Sequence, residues 1–114
     1  LTGKYHKGGA IPAGTRIDKM DHLVARFFND ETMDIVEALR DFADARGRTL
    51  LELSFAWLAS RDVIPSIIAG TSRPEQVEAN VAAVEWQLSD DEVDEIDRIS
   101  ALASDARFGS LFRN

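Results

Sequence analysis

The residues best placed to do chemistry sit where an apolar run gives way to a polar helix start. Ile67-Ile68-Ala69 is followed by Gly70-Thr71-Ser72-Arg73-Pro74-Glu75-Gln76-Val77-Glu78-Ala79-Asn80. A glycine at the end of a buried run lets backbone approach a ligand closely. The free N–H groups of a first helical turn, at the positive end of the helix dipole, favour an anion. Arg73 adds a fixed positive charge that can grip phosphate with two hydrogen bonds and stack on a purine ring. Gln76 and Asn80 are four apart and share a helix face, and Arg73 lies one turn before Gln76 on the same side. Arg73, Gln76 and Asn80 then form one polar face, and Val77, Val81 and Val84 form the apolar face turned to the core. The plainer reading of the same residues is an ordinary Ser-x-x-Glu helix start with a solvated arginine.

Other constellations carry less. Lys4-Tyr5-His6 puts three acid–base residue types in a row, but neighbours on a loop do not converge on one reacting atom, as a tuned proton donor requires. Tyr5 reads instead as a loop anchor. His6 and His22 are far apart in sequence, no cysteine accompanies them, and no metal-ligand spacing is present. Asp90, Asp91, Glu92, Asp94 and Glu95 read as a helix start whose carboxylates complement the dipole, not as a cation site. Trp57 and Trp86 fit core packing better than ligand stacking. Phe108 and Phe112 fall in a C-terminal stretch that reads as a tail.

The elements that must position these residues follow from apolar spacing. Residues 6–17, with Gly8, Gly9, Pro12 and Gly14, read as a long loop. A short helix is predicted over residues 18–28. Asn29 or Asp30 can cap the next helix, where Met33, Ile35, Val36, Leu39, Phe42 and Ala43 recur at helical spacing, and Gly47 ends it. Thr49 and Glu52 form a capping box for a helix that is apolar around most of its circumference and so needs cover on more than one side. Residues 63–69 are β-branched and almost wholly apolar, the pattern of a strand buried on both faces, with Pro65 tolerable near its start. Ser72 with Glu75, and Ser89 with Glu92, give two further capping boxes. The second introduces Val93, Ile96 and Ile99 at spacing three, and residues 103–114 read as a tail. One strand makes no sheet, because its N–H and C=O groups need neighbours. The partners are expected on residues absent from this sequence or on another chain.

Composition removes several classes. The net charge of −7 lacks the basic balance or stripe of a nucleic-acid binder. No apolar run approaches the roughly 20 residues that span a bilayer, so no membrane partner is expected. The absence of cysteine excludes a disulfide framework and suits a reducing, cytoplasmic setting. Leu1-Thr2-Gly3-Lys4-Tyr5 has neither signal-peptide shape nor initiator Met and starts like the end of a strand. It reads as cut from a larger protein.

Taken together, "SIIAGTSRPEQVEANVAAVEWQLSDDEVDEID" resembles the last strand and helices of the aldo-keto reductase family. "LTGKY", "PAGTR" and "LELSFAWLASRDVIPSIIAGTS" resemble the preceding part of that family in the same order, closest to the bacterial branch that is similar to potassium-channel β subunits. The resemblance covers residues 1 to about 99. It implies an α/β fold, the C-terminal part of a (β/α)8 TIM barrel that is mostly helical over these residues. It also implies hydride transfer from NADPH to an aldehyde or ketone. Barrels of this kind bind ligands at the C-terminal ends of their strands, with phosphate near the last two βα loops. By position, Ser72, Gln76 and Asn80 match residues that hold the adenosine half of NADP(H), beside Gly70. Arg73 falls on the adjoining phosphate side, Lys4 matches a lysine close to the pyrophosphate, and Arg16 matches an arginine whose loop closes over the cofactor. Ala79 departs from the Glu common there, which leaves one adenine-amino contact without its usual side chain. The family's catalytic Asp, Tyr, Lys and His have no counterpart here.

Two functions follow. The first is the NADP(H)-binding C-terminal portion of a reductase with a small carbonyl substrate. The second is a non-catalytic binding or assembly module, whose uncovered strand is buried by self-association or by pairing with the missing barrel part.

Overall fold

The computed structural model describes residues 1–15, 17–20 and 28–107, with side-chain surroundings as far as Ala101. Four helices follow one another: α1 (Asp30–Asp44), α2 (Leu50–Ala59), α3 (Pro74–Ala83) and α4 (Asp90–Arg107). Their ends are set by local chemistry. Asn29 caps α1 by accepting the N–H of Thr32 at 3.0 Å. The chain leaves α1 through Gly47 at φ 66°, and the N–H of Arg48 reaches back to the carbonyl of Ala43 at 3.0 Å, a left-handed exit that glycine accepts without strain. The capping box on α2 is complete: the N–H of Thr49 donates to Glu52 at 2.8 Å and the N–H of Glu52 to the Thr49 hydroxyl at 3.2 Å. Ser89 and Glu92 repeat it at the start of α4.

The core lies where α1 packs against α2 and α4. Leu39, Phe42 and Ala43 of α1 meet Leu50 and Leu53 of α2 and Ile96 of α4, all buried. Trp57, Trp86, Leu88 and Ile99 pack around them as half-buried neighbours, so both tryptophans serve the core. Arg46 ties the end of α1 to the start of α4. Its guanidinium lies 3.5 Å over the Phe42 ring and donates to Glu92 at 2.8 Å. Arg61 and Trp57 grip α4 at Asp97: the indole N–H donates at 2.7 Å, and Arg61, stacked 4.4 Å over the indole, pairs with the same carboxylate.

Several expectations from sequence are corrected. Among the described residues there is no strand: residues 64–71 run without a ladder, Val63 is 88% exposed and Ile68 98% exposed. The run is apolar enough for a buried strand, but no described backbone lies alongside to pair with it, and a lone strand cannot satisfy its own N–H and C=O groups. The apolar face of α3 is likewise uncovered. Val77, Val81 and Val84 are exposed, and Ala83 is the residue of α3 that is buried. The predicted capping box of Ser72 and Glu75 does not form. Arg73 takes the N-cap position with no side-chain cap bond, and Ser72 pairs with Gln76 instead. The predicted tail is helical over its first part, since α4 continues to Arg107. Phe108 and Phe112 lie outside the described residues, as does most of the helix predicted over residues 18–28, whose first two residues lie in a turn. Among the described residues no helix is long and apolar enough to cross a membrane.

Candidate functional site

The amino end of α3 is built by a short sequence of constraints. The extended residues 64–71 deliver the chain without fixing it in a sheet. Arg73 keeps an extended backbone, φ −144° and ψ 145°, and Pro74 opens the helix, where its missing N–H is harmless and its fixed φ suits the first turn. No side chain caps this end, so the positive pole of the helix is left for an external acceptor.

Four polar groups surround that pole. The Ser72 N–H donates to Gln76 Oε1 at 2.8 Å, and the Ser72 hydroxyl lies 3.3 Å from the same oxygen. A backbone N–H can only donate, so Gln76 must turn its carbonyl oxygen to Ser72. Its amide nitrogen keeps both hydrogens for another partner. Arg73 is exposed and has no acidic partner among the described residues. An open hollow of about 570 Å³ is lined by Thr71, Ser72, Arg73, Pro74, Val77 and Glu78. Asn80 borders an adjoining hollow of about 580 Å³, where Val77, Val81 and Val84 face Phe55, Ile64 and Ile67. Thr71 and Val77 line both hollows, so the polar pole and the apolar trough adjoin.

Gly70 is exposed, and a Cβ added there would meet nothing within 4 Å. Nothing in the described chain therefore demands glycine at that position; a close ligand or a neighbouring backbone would. The donor set of Ser72, Arg73, the Gln76 amide and an uncapped helix end fits a phosphate-bearing nucleotide. Glu78 works against an anion in the same hollow.

The remaining predicted residues stand apart. Lys4 is exposed, and among the described residues no hydrogen bond or ion pair joins it to residues 70–80. Arg16 lies outside the described residues. Tyr5 is the anchor that the sequence suggested: its ring meets Phe28 edge-on at 5.5 Å, and its carbonyl accepts from Arg40 at 2.9 Å. Among the described residues no group of three His, Asp or Glu side chains is arranged to hold a metal ion. Sequence reasoning missed Thr71, which joins the two hollows, and the clamp of Glu37 and Arg40 on the N-terminal loop. Glu37 and Arg40 are three apart on α1, a spacing that permits a pair, but nothing local signals the contact 35 residues away.

Charge is organised mainly around the helix ends. The Thr49 backbone N–H, helped by its hydroxyl, holds Glu52 below the usual carboxylate range. The Ser89 N–H does the same for Glu92, with Arg46 adding to it. Arg61, followed by the Trp57 indole, holds Asp97 down against the cost of desolvation.

These features define a helical assembly with one unfinished side, where an extended apolar run meets a polar helix pole suited to a nucleotide phosphate. The chain belongs to the aldo/keto reductase family, whose sequence pattern matches residues 1–101. It is 39% identical over 87 residues to a probable voltage-gated potassium channel subunit beta of Arabidopsis thaliana, covering 75% of this chain and 26% of that one. To the L-glyceraldehyde 3-phosphate reductase of Escherichia coli K12 it is 32% identical over 88 residues, 74% of this chain and 25% of that one. To the NADH-specific methylglyoxal reductase of the same organism it is 30% identical over 83 residues, 70% of this chain and 24% of that one. The chain thus spans about a quarter of the length of these relatives.

Proposed function

We propose that these residues form the C-terminal part of a (β/α)8 barrel and supply the adenosine and phosphate end of its NADP(H) site. In this reading the complete protein is a cytoplasmic oxidoreductase that reduces an aldehyde or ketone. The observation that carries the reading is the unladdered apolar segment, 98% exposed at Ile68, running directly into an uncapped helix end flanked by Ser72, Arg73 and Gln76. A parallel barrel would cover the first, and a dinucleotide phosphate would cap the second. The two reductases among the relatives support a carbonyl substrate by their names.

The coenzyme, when bound, supplies the hydride. The chain's own residues bind and orient it. Arg73 and Arg16 hold phosphate charge, Lys4 lies by the pyrophosphate, Ser72, Gln76 and Asn80 fix the adenosine, and Gly70 permits close approach. None of them is assigned a proton-transfer step; that chemistry belongs to residues outside this chain.

The NADH-specific relative makes coenzyme choice the point to test. In the full-length protein NADPH binds more tightly than NADH, and Arg73→Ala narrows the gap by about tenfold or more, the equivalent of one charge-assisted hydrogen bond. Equal affinities before and after the change would refute the assignment of Arg73 to the 2′-phosphate. Absence of NADPH-dependent turnover across a panel of aldehydes and ketones, together with absence of NADPH binding, would refute the reductase reading.

A second reading is an assembly module without catalysis. The exposure of Val63, Ile68, Val77, Val81 and Val84 favours it, since apolar patches of this kind mark contact surfaces. Size-exclusion chromatography separates the two. A compact monomer of the 114-residue chain counts against obligatory assembly.

A further inference from the structure

We infer that Arg40 and Glu37 of α1 are positioning residues for Lys4, and so for the phosphate end of the coenzyme. This rests on the assignment of Lys4 proposed above. Lys4 has no described side-chain partner of its own, but both residues that flank it lie against Arg40. On one side is Gly3, at φ 79°, whose Cβ position would fall 3.8 Å from Arg40 Nη1. On the other is Tyr5, whose carbonyl accepts from Arg40 Nη2 at 2.9 Å. Arg40 is in turn oriented by Glu37, which accepts from its Nε at 3.2 Å.

The same carboxylate holds the next part of the loop. Glu37 Oε1 accepts the Lys7 N–H at 3.2 Å and lies 3.8 Å from His6 Nδ1. Lys7 closes the arrangement with an ion pair to Asp34, one turn earlier on α1. Residues 5–7 are therefore fixed to one helix by backbone hydrogen bonds immediately after Lys4, and Gly3 before it lies beside the Arg40 guanidinium. The Arg40 side chain is 18% exposed, so its own hydrogen bonds to Glu37 and Tyr5 are shielded more than those of a solvated surface pair. A long lysine on a loop acts as a dependable phosphate partner only if its backbone is fixed. Without the clamp, ordering of the loop would have to accompany binding.

The test is a double-mutant cycle in the full-length protein, read by NADPH titration. Lys4→Ala is expected to weaken binding about tenfold. Arg40→Ala alone should weaken it several-fold, and the double variant should be no more than about twofold weaker than Lys4→Ala, because the clamp acts through the lysine. Glu37→Gln keeps an acceptor for Lys7 and loses the charge that orients Arg40; it should give a smaller loss and provides the cycle if Arg40→Ala fails to fold. A purely structural role would lower the unfolding midpoint and leave the two losses multiplying independently, which overturns the inference. Weakening by Lys4→Ala with none from Arg40→Ala or Glu37→Gln overturns it while sparing the coenzyme assignment. No weakening by Lys4→Ala overturns both.

Discussion

The region formed by α1, α2 and α4 and the region from residue 63 to 84 obey different physics. In the first, Phe42, Leu50, Leu53 and Ile96 are each 5% exposed or less, both capping boxes close, and ion pairs from Arg46 and Arg61 cross between elements. In the second, Val63 and Ile68 stand in solvent, the valines of α3 are uncovered, and the helix has no cap. The two differ little in apolar content. They differ in whether the groups each needs lie among the described residues. A helix satisfies its backbone internally, whereas a parallel strand depends on neighbours. The uncovered region also carries most of the candidate coenzyme residues, Gly70, Ser72, Arg73, Gln76 and Asn80; Lys4 and Arg16 lie elsewhere in the sequence.

The largest effect that would sharpen this contrast comes from the core. Phe42→Ala should cost about 3–5 kcal/mol by chemical denaturation, because it leaves a cavity among α1, α2 and α4. Ile68→Ser in the same 114-residue chain should stay within about 0.5 kcal/mol. Comparable losses at both positions would show that residues 63–69 are covered after all. Asp97→Ala should cost about 1–2 kcal/mol, since it removes the acceptor of the Trp57 indole and the partner of Arg61. Indole fluorescence provides a second readout. Thr49→Ala should cost about 1 kcal/mol through its cap, and Ser72→Ala only a few tenths, since Ser72 caps nothing.

Acid should act on the closed region by a smaller increment per group. Glu52, Glu92 and Asp97 have lowered folded-state pKa values. The unfolded chain then binds more protons than the folded one as pH falls, and stability declines in that direction. The contribution is complete above the ordinary carboxylate range and disappears as pH drops through the lowered values. A pH series of unfolding midpoints should be flat from neutrality down to about pH 5 and fall below it. Glu52→Gln should reduce the slope.

Much of this was legible in the sequence. Local rules found the caps at Asn29, Thr49 and Ser89, the exit at Gly47, and the apolar face through Leu39 and Phe42, because each depends on residues a few positions apart. The family resemblance was legible from several motifs in one order. The strand expected at residues 63–69 is not present, because apolar content alone does not supply a partner and no described backbone lies alongside to pair with it. The cap of α3 failed for a different reason: Ser72 had two nearby acceptors to choose from, and Gln76 won over the expected pattern with Glu75. The clamp of Arg40 on Tyr5 was beyond local rules, because it spans 35 residues.

The central claim is that the uncapped start of α3 receives the coenzyme. Amide hydrogen exchange in the full-length protein, with and without saturating NADPH, tests it most directly. Residues 71–76 should exchange more slowly with coenzyme bound, and residues 39–43 of α1 should be unchanged. Saturable NADPH binding that leaves residues 71–76 unaltered would contradict it.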